Sequence, residues 1–193
     1  MTPRPKASQP IPPHAKKVFS GVLFDVYQWE QEQFDGSYQT FEKLKRADTV
    51  SIIPILPDGR VLIVDDEQPG RDAVVTFPGG RVEPEEDPVQ TAKRELFEET
   101  GYVAKELQLW RAYHPVSKVD WVLYHFIARG CEKVGEQQLD PGERIATRTV
   151  TLDELIDISD DPRFQGKDLR LDFTKARLNA ESRAELEKEF FGQ

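Results

Sequence analysis

From Lys17 onward, short runs of alternating apolar and polar side chains predict strands. VFSGVLFDVYQW and YQTFEKLKR flank the turn dipeptide Asp35-Gly36 and read as a hairpin. TVSIIPIL and VLIV flank Pro57-Asp58-Gly59-Arg60 and read as a second one, and the short VVTF runs straight into a glycine-rich loop. VDWVLYHFIA is apolar on both alternating faces, which predicts a strand covered on both sides. At Asp87 the period changes from strand to helix: Val89, Ala92 and Leu96 share one helical face. Asp87 is a favoured N-cap, Pro88 suits the first helical position, Gln90 can bond back to the cap, and Gly101 supplies a left-handed stop. Thr151 with Glu154 forms a capping box ahead of LDELI, and ESRAELEKEFF predicts a charged C-terminal helix. No internal repeat interrupts this pattern. It predicts one α/β (α+β) domain, a mixed sheet with helices around it. N-terminal strands are expected at about 17–46, a core at about 47–158 and a helical segment at about 159–193. Residues 1–16 carry five prolines and few apolar side chains, and read as a flexible tail.

Composition narrows the function. Asp and Glu outnumber Lys and Arg by 35 to 26, a formal net charge of -9. Phosphate backbones and anionic lipid would repel such a chain, so nucleic acid and membrane surfaces are not expected partners. A phosphorylated ligand would need a local reversal of sign. Cys131 is the single cysteine, so no intrachain disulfide forms and a reducing, cytoplasmic setting is the expectation. No 18-residue apolar run exists, and the first 20 residues lack the apolar centre of a signal peptide.

The densest chemistry lies in GGRVEPEEDPVQTAKRELFEETGY. Glu95, Glu98 and Glu99 fall on one helical arc beside the apolar face, and like charges at this spacing destabilise a helix by a few tenths of a kcal/mol per pair, to order of magnitude. A solvated acidic face is the ordinary explanation of such a run. The pattern argues otherwise. Gly80, Glu86, Arg94, Glu95, Leu96, Glu98, Glu99 and Gly101 stand at fixed offsets, and average usage gives that combination a chance probability of about 10⁻⁹ per register.

These residues form a Nudix box, and the chain resembles the Nudix hydrolase family. The box usually carries an aliphatic residue after its last glycine, where this chain has Tyr102. The resemblance implies a Nudix-type α/β/α sandwich with an N-terminal β-hairpin extension, binding divalent metal and hydrolysing nucleoside diphosphates linked to another group. Carboxylate oxygens suit a hard cation such as Mg²⁺ or Mn²⁺, which would relieve the repulsion on the helix. By carry-over the metal ligands are Glu95, Glu98, Glu99 and the Gly79 carbonyl. Glu86 is expected to pair with Arg94, and Glu83, Glu85 and Asp87 are loop, solvent and cap. The general base is either a box glutamate, Glu98 or Glu99, or Glu143 in LDPGERIA, whose ordinary reading is an exposed turn.

Outside the box the chain is most similar to the ADP-ribose pyrophosphatase branch, from about Lys17 to Ile158, through GVLFDVYQW, FDGS, DEQPGR and GERI. Arg71 is the expected phosphate or ribose contact; a solvated loop arginine is the alternative. Trp29 and Phe41 are candidate base-stacking residues, although a strand tryptophan more often belongs to a core. Two departures stand out: Phe41-Glu42 replaces the branch's usual Arg-Glu, and Pro115 follows Tyr102 by 13 positions where about 15 is usual. ADP-ribose hydrolysis to AMP and ribose 5-phosphate is the first expectation, with other nucleotide sugars next. A catalytically silent ligand-sensing domain and a nucleoside triphosphate house-cleaning hydrolase are the alternatives. In this branch the N-terminal extension implies a homodimer that completes the substrate site.

Overall fold

The computed structural model describes residues 2–192. Three antiparallel strands open it: β1 (Lys16–Ser20), β2 (Asp25–Glu32) and β3 (Tyr38–Lys45). The run expected as a single strand before Asp35-Gly36 is two, because the chain turns where the Gly21 N–H donates to the Phe24 carbonyl at 2.9 Å. The second expected hairpin is present as β4 (Thr49–Ile55) and β5 (Val61–Gln68), followed by β6 (Arg71–Thr76) and then α1 (Pro88–Thr100). Next come β7 (Tyr102–Val103), β8 (Glu106–Tyr113), β9 (Val119–Asp120), β10 (Leu123–Arg129), β11 (Glu132–Lys133) and β12 (Arg144–Val150). The C-terminal part is α2 (Leu152–Ile158), a 3₁₀ turn (Lys167–Leu169), α3 (Arg170–Leu178) and α4 (Ala180–Phe191).

The central sheet runs β12-β5-β4-β10-β8, with β6 added on β5, and is mixed because β4 and β10 are parallel. Strand side chains alternate between faces, and here each face has its own cover. Ile53, Ile63 and Ile127 face one way and pack with Leu155, Phe173 and Phe190 of α2, α3 and α4. Val50, Ile52, Tyr124 and Phe126 face the other way and bury Ala92 and Leu96 of α1. This is the expected sandwich, with β10 covered on both sides. The N-terminal sheet, β1-β2-β3-β9, stands beside it. No helix among the described residues is long and apolar enough to cross a membrane.

One irregularity positions the site. β4 and β5 pair only at Ile55 and Val61 and then diverge. The loop 78–82 fills the gap along β4: Ile52 N–H donates to the Pro78 carbonyl at 2.8 Å and Val50 N–H to the Gly80 carbonyl at 2.9 Å. Gly79 is required there, since a Cβ would collide with the Val50 carbonyl.

The proline-rich start departs from a flexible tail. It is laid along the domain. Thr2 donates from its N–H (2.7 Å) and hydroxyl (2.6 Å) to Asp87. Arg4 pairs with Asp48 and Asp120, both at 2.8 Å. The buried Lys43 ammonium donates to the Gln9 carbonyl, and burial lowers its pKa. Prolines suit such a strap because they hold it extended without needing donors. Deleting residues 1–15 is therefore expected to cost about 1–2 kcal/mol of net hydrogen bonding, or roughly 2–8 °C in melting temperature for a chain this long. Calorimetry on the truncated protein checks it, and an unchanged melting temperature would show that the strap contributes nothing.

Candidate active site

The acidic helix is held at both ends by its own sequence. Asp87 accepts from the Val89 N–H at 3.0 Å while Gln90 accepts from the Asp87 N–H at 3.3 Å, closing the capping box. Gly101 ends the helix at φ 74°, a conformation that costs a side chain about 1–2 kcal/mol. With Ala92 and Leu96 buried against the sheet, the glutamates are turned toward the glycine loop. Arg94 gathers three of them. Its Nη1 donates to Glu95 and Glu98, each at 2.9 Å, and its Nε and Nη2 donate to Glu86 at 3.2 and 3.1 Å. Glu86 also accepts from the Thr91 hydroxyl at 2.8 Å. The expected Glu86–Arg94 pairing is present and ties the loop to the helix.

Glu99 is treated differently. It is buried, and it accepts from the Gly79 N–H at 2.9 Å. Burial pushes its carboxyl up to about 9 against that bond, and the neighbouring Glu95, Glu143 and Asp66 charges push the same way. Burial also raises Glu95, opposed by Arg94. A Cβ at Gly80 would collide with the Glu95 carboxylate, so the loop lies directly on these groups.

Where β4 and β5 diverge, a cleft of about 530 Å³ opens over this loop. Glu143 enters it from a turn closed by its own N–H on the Asp140 carbonyl (2.9 Å), and burial raises its carboxyl, with Asp66 and Glu98 adding to the effect. Arg71 lines the cleft and is bound tightly to Asp66. Arg46, Asp66, Arg81 and Gln165 also line the cleft, and none of these is among the expected site residues. Arg81 had a signal, since it directly follows Gly80. Arg46 lies with its guanidinium 4.9 Å from the Trp121 ring centroid and 5.8 Å from that of Phe24. Burial lowers its pKa and the nearby Arg81 adds to that. Among the described residues neither arginine has an ion-pair partner, and Arg46 Nε is buried without a hydrogen bond. A larger groove of about 950 Å³ between β8 and α4 contains none of the helix glutamates and is lined by internal pairs such as Arg111–Asp172 at 2.6 Å.

A NUDIX domain family model matches residues 45–170. The chain belongs to the Nudix family. It is 30% identical over 144 residues to the ADP-ribose pyrophosphatase of Bacillus subtilis (strain 168), covering 73% of this chain and 78% of that protein. It is 28% identical over 145 residues to the methanol dehydrogenase activator of Bacillus methanolicus, with the same coverage of 73% and 78%. The crystal structure of an ADP compounds hydrolase superposes with a TM-score of 0.70 at 21% identity, covering 92% of this chain and 98% of that one. The protein is thus a Nudix pyrophosphohydrolase with the mixed α+β fold of that family.

Nudix hydrolases generally use divalent metals, and the donor chemistry here fits one. Glu95, Glu98, Glu99 and the Gly79 backbone offer only oxygen, as a hard cation requires. Among the described residues no three acidic or histidine side chains stand as a closed cage, because Arg94 occupies the space between Glu95 and Glu98. The buried Glu99, repelled by three other carboxylates, lacks that cationic partner. The structure brings Gly79, Glu99, Glu143 and Arg71 to the cleft, with Glu95 and Glu98 beside them. It does not bring Trp29 or Phe41 there within the chain. Trp29 is buried in the N-terminal sheet, its N–H donating to Gln31 at 3.1 Å and its ring 6.0 Å from Phe41. Phe41 carries the Lys118 ammonium at 4.7 Å from its ring centroid. Within the chain the two rings pack against each other in the N-terminal sheet.

A raised carboxylate pKa has a defined sign. Between the unfolded value near 4.5 and about 9, the folded state holds a proton on Glu99 that the unfolded state lacks, so stability falls as pH rises through that window. In EDTA the melting temperature is expected to decline from pH 5 to pH 9, and Glu99→Gln should flatten the decline and melt higher than wild type at pH 8. Thermal scans across that range measure it; equal slopes for the two proteins would refute this account of Glu99.

Proposed function

We propose that the protein hydrolyses the diphosphate bond of nucleoside diphosphate sugars, with ADP-ribose first, releasing AMP and ribose 5-phosphate. The observation that carries this reading is the juxtaposition, in one cleft, of two unpaired arginines with a buried carboxylate and a loop carboxylate. Arg46 and Arg81 supply the local positive charge that a diphosphate needs in an acidic protein, and Arg71 is a further contact. The names of the Bacillus subtilis relative and the ADP compounds hydrolase point to the same substrate class.

Glu95, Glu98, Glu99 and the Gly79 carbonyl would hold Mg²⁺ or Mn²⁺, which supplies Lewis-acid polarisation of the diphosphate. The chain's own residues do the rest. Arg46 and Arg81 orient the non-bridging oxygens, which fixes one phosphorus for in-line attack. Glu143 takes a proton from the attacking water; a carboxyl raised toward the working pH is the better base. The water oxygen bonds to phosphorus, the bridging P–O bond breaks, and its electron pair leaves with the departing phosphate. Glu86 and Arg94 keep the loop and helix in register.

The N-terminal sheet exposes Val18, Phe19, Val22 and Leu23 at and beside its first turn, a concentration of apolar surface that suits a second copy of the chain. We place the protein in the cytoplasm as a homodimer. The intact box glutamates favour an enzyme over a silent sensor.

Glu99→Gln is expected to lower kcat at least about 100-fold with the fold retained, and excess EDTA to abolish turnover. Arg81→Ala and Arg71→Ala should raise KM more than they lower kcat. The decisive measurement is a hydrolysis screen over ADP-ribose, ADP-glucose, GDP-mannose, UDP-glucose, NADH, diadenosine polyphosphates and dNTPs. Efficient cleavage of dNTPs or dinucleoside polyphosphates with none of any nucleotide sugar sinks the reading, as does full activity in EDTA.

A further inference from the structure

The segment after α2 returns to the cleft and is fastened from several sides. Phe164 is fully buried and meets Phe77 edge-on, with ring centroids 5.9 Å apart. The Gln165 N–H donates to the Val75 carbonyl at 2.8 Å, and the Val75 N–H to the Arg163 carbonyl at 3.0 Å, so the segment extends the sheet beside β6. Three residues on, Asp168 stands 2.6 Å from Nε2 of the buried His125 and accepts from the Tyr113 hydroxyl. Asp168 is partly desolvated, yet these two bonds hold its carboxyl below the usual range. Backbone, ring and carboxylate thus immobilise the loop.

Gln165 itself is unspent. Its side chain is exposed, lines the cleft with Arg71 and Thr76, and makes no hydrogen bond among the described residues. Its anchor Val75 lies on β6, midway in sequence between Arg71 and Gly79, which line the same cleft. A primary amide offers both donors and an acceptor without charge, so it can pair with sugar hydroxyls in either sense, whereas a phosphate oxygen can use only its donors. A rigid backbone carrying an unpaired polar tip is the arrangement a recognition contact needs.

We propose that Gln165 is a specificity-determining residue whose amide hydrogen-bonds the hydroxyls of the sugar attached to the diphosphate, with Asp168 the positioning residue that fixes its loop. This rests on the nucleotide-sugar reading above. The test is steady-state kinetics of wild type, Gln165→Ala and Asp168→Asn on ADP-ribose and on an ADP ester of a simple alcohol, which keeps the diphosphate and lacks the sugar. Gln165→Ala is expected to raise KM for ADP-ribose about fivefold, the size of one neutral hydrogen bond, with kcat and the KM for the simple ester unchanged. Asp168→Asn should shift KM for ADP-ribose in the same direction and spare kcat. A KM unmoved by Gln165→Ala, a rise equal for both substrates, or a loss in kcat alone overturns the proposal while the wild type still cleaves ADP-ribose. A KM raised by Gln165→Ala but not by Asp168→Asn removes the role of Asp168. Wild-type failure on every nucleotide sugar overturns the functional reading itself.

Discussion

Arg94 sits among Glu86, Glu95 and Glu98, and the geometry of the whole site depends on how that one guanidinium distributes its donors. Glutamates one turn apart on a helix repel each other, and their repulsion grows as water is excluded. A planar fork with five donors can satisfy several carboxylates at once, which a lysine ammonium cannot do with the same directionality. The consequence is an unequal settlement. Three glutamates have a cation, and Glu99, the most buried of the acidic group, has only a backbone N–H. Its carboxyl is the one driven up to about 9. The helix is therefore stable enough to form and still carries an unmet demand for positive charge at one defined place.

The sheet determines where that demand is presented. Because β4 leaves β5 after a single pair, its edge is open to the glycine loop, and the loop's carbonyls replace the missing strand. Gly79 and Gly80 are needed at the two points where a side chain would strike β4 or Glu95. The same divergence opens the cleft. Loop, helix and cavity are thus one structural event, and moving any of them displaces the others.

What was legible in the sequence follows from how local its cause is. The α1 caps, the Thr151 capping box and the hairpin turns depend on residues within a few positions of one another, so they can be read directly. β8 was not anticipated, because ELQLWRAY carries no flanking turn dipeptide and gains its place only by pairing with β10. α3 is polar along most of its length, and its helical state reflects Phe173 and Ala176 docking on the sheet. The site divides the same way. The carboxylates announced themselves by spacing, whereas Gln165 reaches the cleft through contacts between segments 90 positions apart, Val75 and Gln165. Trp29 illustrates the same limit: an aromatic ring has the same sequence signature whether it stacks on a ligand or on Phe41, its neighbour within the chain.

Net charge raises a last question, since a protein at -9 has to attract a diphosphate in the proposed reaction. Screening answers part of it. At physiological ionic strength the Debye length is about 8 Å, so acidic side chains on distant surfaces contribute little at the cleft. Contact distances are another matter. Of the arginines near the site, Arg71 is committed to Asp66 and Arg94 to the glutamates. Arg46 and Arg81 repel each other, and Arg46 is backed by the Trp121 and Phe24 ring faces. Rings stabilise a guanidinium by about 0.5–2 kcal/mol without consuming its donors. Arg46 is thereby held in place and partly desolvated with its donors uncommitted among the described residues, and the exposed Arg81 nearby adds a second cation. In the proposed reaction, then, global acidity would act on what approaches the surface, and this local pair on what is retained.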